Sequence, residues 1–183
     1  MPHVIVGMVM SLDGFVSDRH GDLSRLYPDM DAMRQSEPVQ EAIRSTGAVV
    51  MGRRTYEMGN GDFTGYEFQV PIFVVTHTPP QHRSRGENDK LTFTFVAEGI
   101  ERAIEQAKMA AVDKDVTVVG GASVIQQCIA AGVADELHID LRSVLLGDGL
   151  RPFERLDISP IALDQIGVSE SPGVTHLRYR IRS

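Results

Sequence analysis

The sequence predicts an α/β fold: a mixed sheet with a parallel core, antiparallel C-terminal strands, and helices on both faces. Three observations carry this prediction. Short unbroken apolar runs recur at residues 48–51, 71–75 and 115–119, as expected of strands buried on both faces. Helix-period segments alternate with these runs. From Glu136 onward the pattern changes to clean apolar/polar alternation, which suits antiparallel strands near a sheet edge.

Taken in order, Val4 to Met10 is apolar and β-branched and reads as the first strand. It ends at Ser11-Leu12-Asp13-Gly14, a turn signal. Residues 29–46 follow a helical pattern in two pieces, split at Pro38. Ala48 to Met51 is the second strand, and Gly52 closes it before a further helix. Gly59 to Gly65 is a glycine-rich loop with freedom to move. Pro71 to Val75 is the third strand, followed by a long polar surface loop over 77–90. The clearest helix runs from Glu98 to Ala111. Ile100, Ala103, Ile104, Ala107 and Ala111 share one face, opposite Glu101, Arg102, Glu105 and Lys108. Asp115 to Val119 is a strand, and a second helix begins near Ala122 and ends at Gly132, a suitable C′ residue. In the C-terminal third, Leu137, Ile139 and Leu141 oppose Glu136, His138 and Asp140. Leu177, Tyr179 and Ile181 likewise oppose His176, Arg178, Arg180 and Arg182. No repeat or linker divides the chain, so residues 1–183 are expected to form a single domain.

Composition narrows the function classes. With 183 residues and 42% hydrophobic content, the chain can bury a core without disulfides or metals. The lone Cys128 lies among Val124, Ile125 and Ile129 and reads as a small buried hydrophobe. A net charge of −7 argues against a general nucleic-acid binder, while leaving room for local arginines to hold a phosphate. The N-terminus lacks a basic region and merges into a strand, unlike a signal peptide, and no apolar stretch approaches a membrane span. A cytoplasmic protein acting on a small molecule, with no membrane or nucleic-acid partner, is the expectation. No His, Cys, Asp or Glu set has a recognised metal-ligand spacing.

Chemistry is sought where buried strands stop. After the second strand come Gly52, Arg53, Arg54 and Thr55. Glycine allows close backbone approach, a new helix offers free N–H groups, and arginine matches phosphate oxygens. The same residues would also make an ordinary strand-to-helix turn with solvated arginines. After the strand at 115–119 come Gly120, Gly121, Ala122 and Ser123, where a pyrophosphate has room to lie against the backbone at a helix start. A tight β–α connection is the plainer reading, and the spacing is not that of the Rossmann fingerprint. After the third strand, Thr76 and His77 open a polar turn that either contacts a ribose phosphate or simply begins a loop. The combination is the stronger signal, because ligands of open α/β sheets bind at the strands' carboxyl ends.

These segments together resemble a known family. "SLDGF" (11–15), "VVMGRRTYE" (49–57), "VVT" (74–76), "VVGGASV" (118–124) and "ADELHIDL" (134–141) with "LLGDG" (145–149) are similar to the RibD C-terminal family. These are the reductase domains of bacterial riboflavin biosynthesis and their stand-alone relatives, which share a dihydrofolate-reductase-like fold. The resemblance spans nearly the whole chain. It implies an NADPH-dependent reductase, with Gly52, Arg53, Arg54 and Thr55 at the cofactor phosphates. It implies Thr76 and His77 near the adenosine ribose and its 2′-phosphate, and Gly120, Gly121, Ala122 and Ser123 on the pyrophosphate. Asp13 and Gly14 would stand beside the nicotinamide, and the C-terminal strands would help build a homodimer. The chain departs from true dihydrofolate reductases in having no tryptophan and no Leu-Pro-Trp segment. It also lacks the zinc-deaminase signature that accompanies the bifunctional riboflavin enzyme.

A carbonyl or imine acceptor needs a proton or a hydrogen-bond donor as well as a hydride. Asp13 is the first candidate for orienting or protonating the substrate, although Asp13-Gly14 also reads as a turn alone. Glu136, His138 and Asp140 form a second cluster, with neighbours about 7 Å apart on one strand face. A histidine between carboxylates tends to keep its proton. The cluster would alternatively pair with Arg178, Arg180 and Arg182 in a polar sheet face or dimer contact. Two functions are carried forward: a reductase of a small heterocyclic or carbonyl substrate, and an NADPH-binding regulatory relative that has lost catalysis.

Overall fold

A computed structural model describes every residue except Arg83, Arg155, Asp157 and Ser183. Eight strands form one sheet: β1 (Val4–Ser11), β2 (Thr46–Gly52), β3 (Ile72–Val75), β4 (Phe93–Val96), β5 (Asp115–Val119), β6 (Glu136–Arg142), β7 (Leu163–Ser171) and β8 (Val174–Ile181). Their order is β4-β3-β2-β5-β1-β6-β8-β7. The first six are parallel. The β7–β8 hairpin joins antiparallel to β6.

The unbroken apolar runs are buried on both faces, as their composition predicts. Ala48 and Val50 of β2 enter one core cluster, and Val49 and Met51 enter the other. Phe73 of β3 faces the first cluster while Ile72 and Val74 face the second. Two helices, α4 (Ile100–Ala111) and α5 (Ala122–Ala130), cover the first face. All five apolar positions of the α4 stripe are buried. On the other face, α3 (Arg53–Met58) contributes Tyr56 to an aromatic cluster with Phe63, Phe93 and Phe95. Helices therefore lie on both sides of the sheet.

Helix α5 ends as its glycine predicts. Gly132 has φ 65°, Val133 N–H donates to the Cys128 carbonyl at 3.1 Å, and Gly132 N–H donates to Ile129 at 3.1 Å. This is the paired closure of a Schellman motif. Cys128 is fully buried, and burial pushes its thiol up to about 12.

Four expectations need correction. The helical stretch at 29–46 breaks at Ser36, between α1 (Met30–Gln35) and α2 (Glu37–Ser45), and Pro38 sits inside the first turn of α2. Proline is accepted there because the N–H it lacks has no helical partner in a first turn. The strands β4 and β7 escape the sequence reading. His176, on the polar side of the alternation, is not solvent-facing but 3% exposed, held between Asp140 and Ser171. Finally, Arg178, Arg180 and Arg182 do not all pair with β6: Arg180 reaches Glu136 at 3.8 Å, Arg178 pairs with Glu41 of α2 at 3.2 Å, and Arg182, just past β8, pairs with Asp164 of β7.

The loop at 59–65 is anchored by Phe63, which is buried and stacks on Tyr56 at 5.4 Å. The described part of the loop at 77–90 contains no strand or helix, although Ser84 is buried against the Tyr56 hydroxyl; Arg83 lies outside the described residues.

Candidate active site

The three strand ends singled out by sequence lie side by side. Gly52 of β2 is in register with Val75 of β3, and Met51 with Val119 of β5. Gly52, Thr76 and Gly120 therefore leave one edge of the sheet on adjacent strands. The two glycine turns interlock. A Cβ at Gly120 would stand 2.9 Å from Thr55 Oγ1, and one at Gly52 would stand 2.8 Å from Val124 Cγ2. Gly120 and Gly121 also hold φ of 65° and 77°, where L side chains are strained. Sequence and conformation thus both require glycine, and the result is a close apposition of α3 and α5.

This edge opens into a cleft of about 1740 Å³, lined by Gly52, Arg53, Arg54, Thr55, Thr76, His77, Gly120, Gly121, Ala122 and Ser123. Its volume exceeds the roughly 300–1,000 Å³ of a single-ligand pocket, leaving room for two ligands side by side. The start of α5 has no side-chain cap; the Val124 N–H donates to the Gly121 carbonyl at 3.0 Å, which leaves the Ala122 and Ser123 N–H groups to face an anion. Of the two arginines, Arg53 is held by Glu57 at 2.6 Å, while Arg54 is exposed with no ion pair among the described residues. The Thr76 hydroxyl closes its own turn, donating to the Thr78 carbonyl at 3.1 Å and accepting from the Thr78 N–H at 3.2 Å. His77 is exposed at the rim.

Asp13 and Gly14 do not line the cleft. The Asp13 carboxylate accepts from Ser11 Oγ at 2.6 Å, Leu146 N–H at 3.1 Å and Gly147 N–H at 2.7 Å. These bonds, led by the Ser11 hydroxyl, hold its pKa down at about 2. A carboxyl so acidic is ionised at neutral pH and is not a proton donor there. The two N–H partners belong to the Leu145–Gly149 segment, so two segments quoted separately in the sequence bind each other. Leu12 N–H to Val144 at 2.9 Å and Val16 N–H to Leu150 at 2.9 Å complete the clamp. Arg151 lies over the Phe15 ring at 4.2 Å and donates to the Asp13 carbonyl at 3.2 Å. The clamp fixes the start of the following loop, whose Ser17, His20, Leu23 and Tyr27 do line the cleft.

The second wall was only partly legible. Helices α1 and α2 contribute Arg34 and Glu41, and β6 contributes Glu136, His138 and Asp140. The floor includes Gly7, which pairs with Val119 on one side and His138 on the other. A glycine inside a β-branched strand is a signal of close approach that was available in the sequence. His138 meets Glu136 at 3.0 Å, yet its pKa is lowered, because burial outweighs the carboxylate. The expectation that flanking acids keep it charged is reversed.

An open sheet with a cleft at the carboxyl ends of its parallel strands defines the class: an α/β protein of the architecture in which that edge is the usual ligand site. Residues 2–177 match the RibD C-terminal domain, and the chain belongs to that family. Among curated proteins it is 22% identical over 152 residues to the uncharacterized protein YyaP of Bacillus subtilis (strain 168), covering 80% of this chain and 77% of that one. Among solved structures it resembles a putative riboflavin biosynthesis protein of Shewanella sp. PV-4, with TM-score 0.79, 23% identity and 99% of both chains covered. It also resembles a Thermotoga maritima diaminohydroxyphosphoribosylaminopyrimidine deaminase/5-amino-6-(5-phosphoribosylamino)uracil reductase, with TM-score 0.75 and 17% identity, covering 99% of this chain and 57% of that one. An Enterococcus faecalis dihydrofolate reductase complexed with NADP(H) matches with TM-score 0.60 and 18% identity, over 99% of this chain and 97% of that one. The dihydrofolate-reductase-like fold follows from these likenesses.

Proposed function

We propose that the protein is an NADPH-dependent reductase of a small heterocyclic or carbonyl substrate. The observation that carries the reading is the stretch Gly120, Gly121, Ala122 and Ser123, which lines the cleft at the sheet edge and forms the start of α5 without a side-chain cap, a place that fits a dinucleotide pyrophosphate. Arg54 would add charge for a further phosphate, with Thr76 and His77 toward the ribose. When bound, NADPH supplies the hydride.

The chain's own residues do the rest. Asp13 locks the 145–149 segment and so fixes the loop carrying Ser17 to Tyr27 over the cleft. Burial keeps Tyr27 protonated, with its pKa pushed up to about 12, so its hydroxyl can donate a hydrogen bond. Burial biases His138 to its neutral form, and with Nε2–H donated to Glu136 its Nδ1 is left as an acceptor. With Asp13 outside the cleft, a second reading keeps some force: a relative that binds NADPH without turnover.

Fluorescence titration with NADPH and NADH tests the cofactor assignment. Saturable NADPH binding is expected in the micromolar range. Arg54→Ala should weaken NADPH at least about tenfold and NADH little, by loss of a charged contact to the 2′-phosphate. Equal loss for both would remove that role. Turnover with 5-amino-6-(5-phosphoribosylamino)uracil, dihydrofolate and simple carbonyls then separates an enzyme from a silent relative. We further propose a cytoplasmic homodimer, supported by the exposed Leu163, Ile166 and Val168 on the edge strand β7. Light scattering that gives a monomer mass would refute the dimer.

A further inference from the structure

Ser171, His176 and Asp140 form a hydrogen-bonded line across three neighbouring strands, β7, β8 and β6. Strand register produces the line. Asp140 of β6 stands opposite His176 of β8, and Ser171 of β7 stands opposite Val174, two residues before His176 on the same face. Nδ1 of His176 meets Asp140 Oδ1 at 2.6 Å, and its Nε2 meets Ser171 Oγ at 2.8 Å. A carboxylate only accepts, so in the neutral imidazole the hydrogen sits on Nδ1. Nε2 then presents its lone pair, and the Ser171 hydroxyl donates to it. The ring is 3% exposed, so packing and both partners hold it in this orientation.

This order of groups activates a serine. A base takes the hydroxyl proton, and a carboxylate behind the base fixes its tautomer and stabilises the imidazolium that forms. The surroundings of Ser171 suit attack on an acyl carbon. β7 is an edge strand, and Ser171 is its last residue, half-buried and followed by the exposed Pro172 and Gly173. The Gly173 N–H has no hydrogen-bond partner among the described residues. The Arg142 guanidinium flanks the same turn: a Cβ on Gly173 would stand 3.8 Å from its Nη2. Arg142 has no ion pair among the described residues. A cation and an unused N–H beside the serine are the kind of donors that a developing oxyanion needs.

We propose that Ser171, His176 and Asp140 form a second active site, which hydrolyses small, unhindered esters by acyl transfer through Ser171. Ser171 Oγ attacks the acyl carbon while its proton passes to Nε2 of His176. The bond from the acyl carbon to the leaving oxygen breaks, and the alcohol departs with that proton. Water then attacks the acyl-serine and gives a proton to Nε2; the Ser171 oxygen leaves and takes that proton back. The products are acid and alcohol, and nothing is oxidised or reduced. Ser171 is the nucleophile, His176 the base and Asp140 a positioning residue. Ser171 and His176 lie outside the lining of the cleft, so this activity is independent of the NADPH reading.

Two probes of the whole protein test it: p-nitrophenyl acetate as substrate, and a fluorophosphonate, which captures activated serines. Release of p-nitrophenol over many turnovers is expected, with Ser171 as the phosphonylated residue by mass spectrometry. Ser171→Ala should lower turnover at least about hundredfold. If that variant does not fold, the position of the phosphonyl group in the wild type decides. Absence of turnover above buffer, release that stops at one equivalent, turnover that survives in a folded Ser171→Ala protein, or failure to phosphonylate Ser171 would overturn the proposal. Heteronuclear NMR of the histidine rings tests the role of Asp140. The wild type should carry the His176 hydrogen on Nδ1. In Asp140→Asn the amide donates to Nδ1, which moves the hydrogen to Nε2, and phosphonylation of Ser171 should slow at least about hundredfold. A wild-type ring with its hydrogen on Nε2, or undiminished labelling in a folded Asp140→Asn protein, would overturn the positioning role.

Discussion

Asp13 acts through its hydrogen bonds. The Ser11 hydroxyl and the N–H groups of Leu146 and Gly147 stabilise its charged form. Its folded pKa of about 2 lies below the ordinary 3.8, so its contribution to stability is present above pH 3.8 and is lost as the pH falls toward 2. Asp13→Asn should lower stability at neutral pH by about 1 kcal/mol, since a partly exposed clamp is screened by water, and should flatten the acid limb below pH 4. Thermal melts at pH 7 and pH 3 check both. His138 should titrate below 6.5, because burial disfavours its charged form; an NMR midpoint above 6.5 would contradict the burial argument. The sequence singled out Asp13 and His138, but neither the long-range hydrogen bonds of the one nor the burial of the other. Ser11 is two positions from Asp13, but Leu146 and Gly147, whose N–H groups it binds, lie 133 and 134 positions away. Cys128, by contrast, was legible from its immediate neighbours alone.

At the scale of elements, the turns are more informative than the strands they end. Gly120 must be glycine twice over, for its φ of 65° and for the 2.9 Å approach of Thr55. Gly120→Ala should cost about 1–3 kcal/mol and weaken NADPH binding, since it pushes α3 and α5 apart. A variant with wild-type melting temperature and affinity would show the apposition to be dispensable. Helices α4 and α5 were legible because apolar stripes and a terminal glycine are local signals. Strand β4 was missed because only Val96 is buried along it, and β7 because its exposed edge leaves no clean alternation. Pro38 was read as a break, though proline in a first turn costs no hydrogen bond.

For the whole molecule, the order of strands turns scattered motifs into one site. Segments near residues 52, 76 and 120 are far apart in the chain but follow adjacent strands β2, β3 and β5. Sequence could supply the three turns and the rule that ligands gather at such an edge. It could not supply the adjacency, nor the second wall from α1, α2 and β6, because those depend on crossovers in the sheet. Membership of the RibD C-terminal family supplies the fold and the class of relatives; the cofactor rests on the stretch Gly120 to Ser123 at the start of α5. A crystal structure at saturating NADPH tests that assignment most directly. The account predicts the pyrophosphate against Gly120, Gly121, Ala122 and Ser123. A cleft without cofactor density under those conditions, or cofactor bound elsewhere, would contradict it.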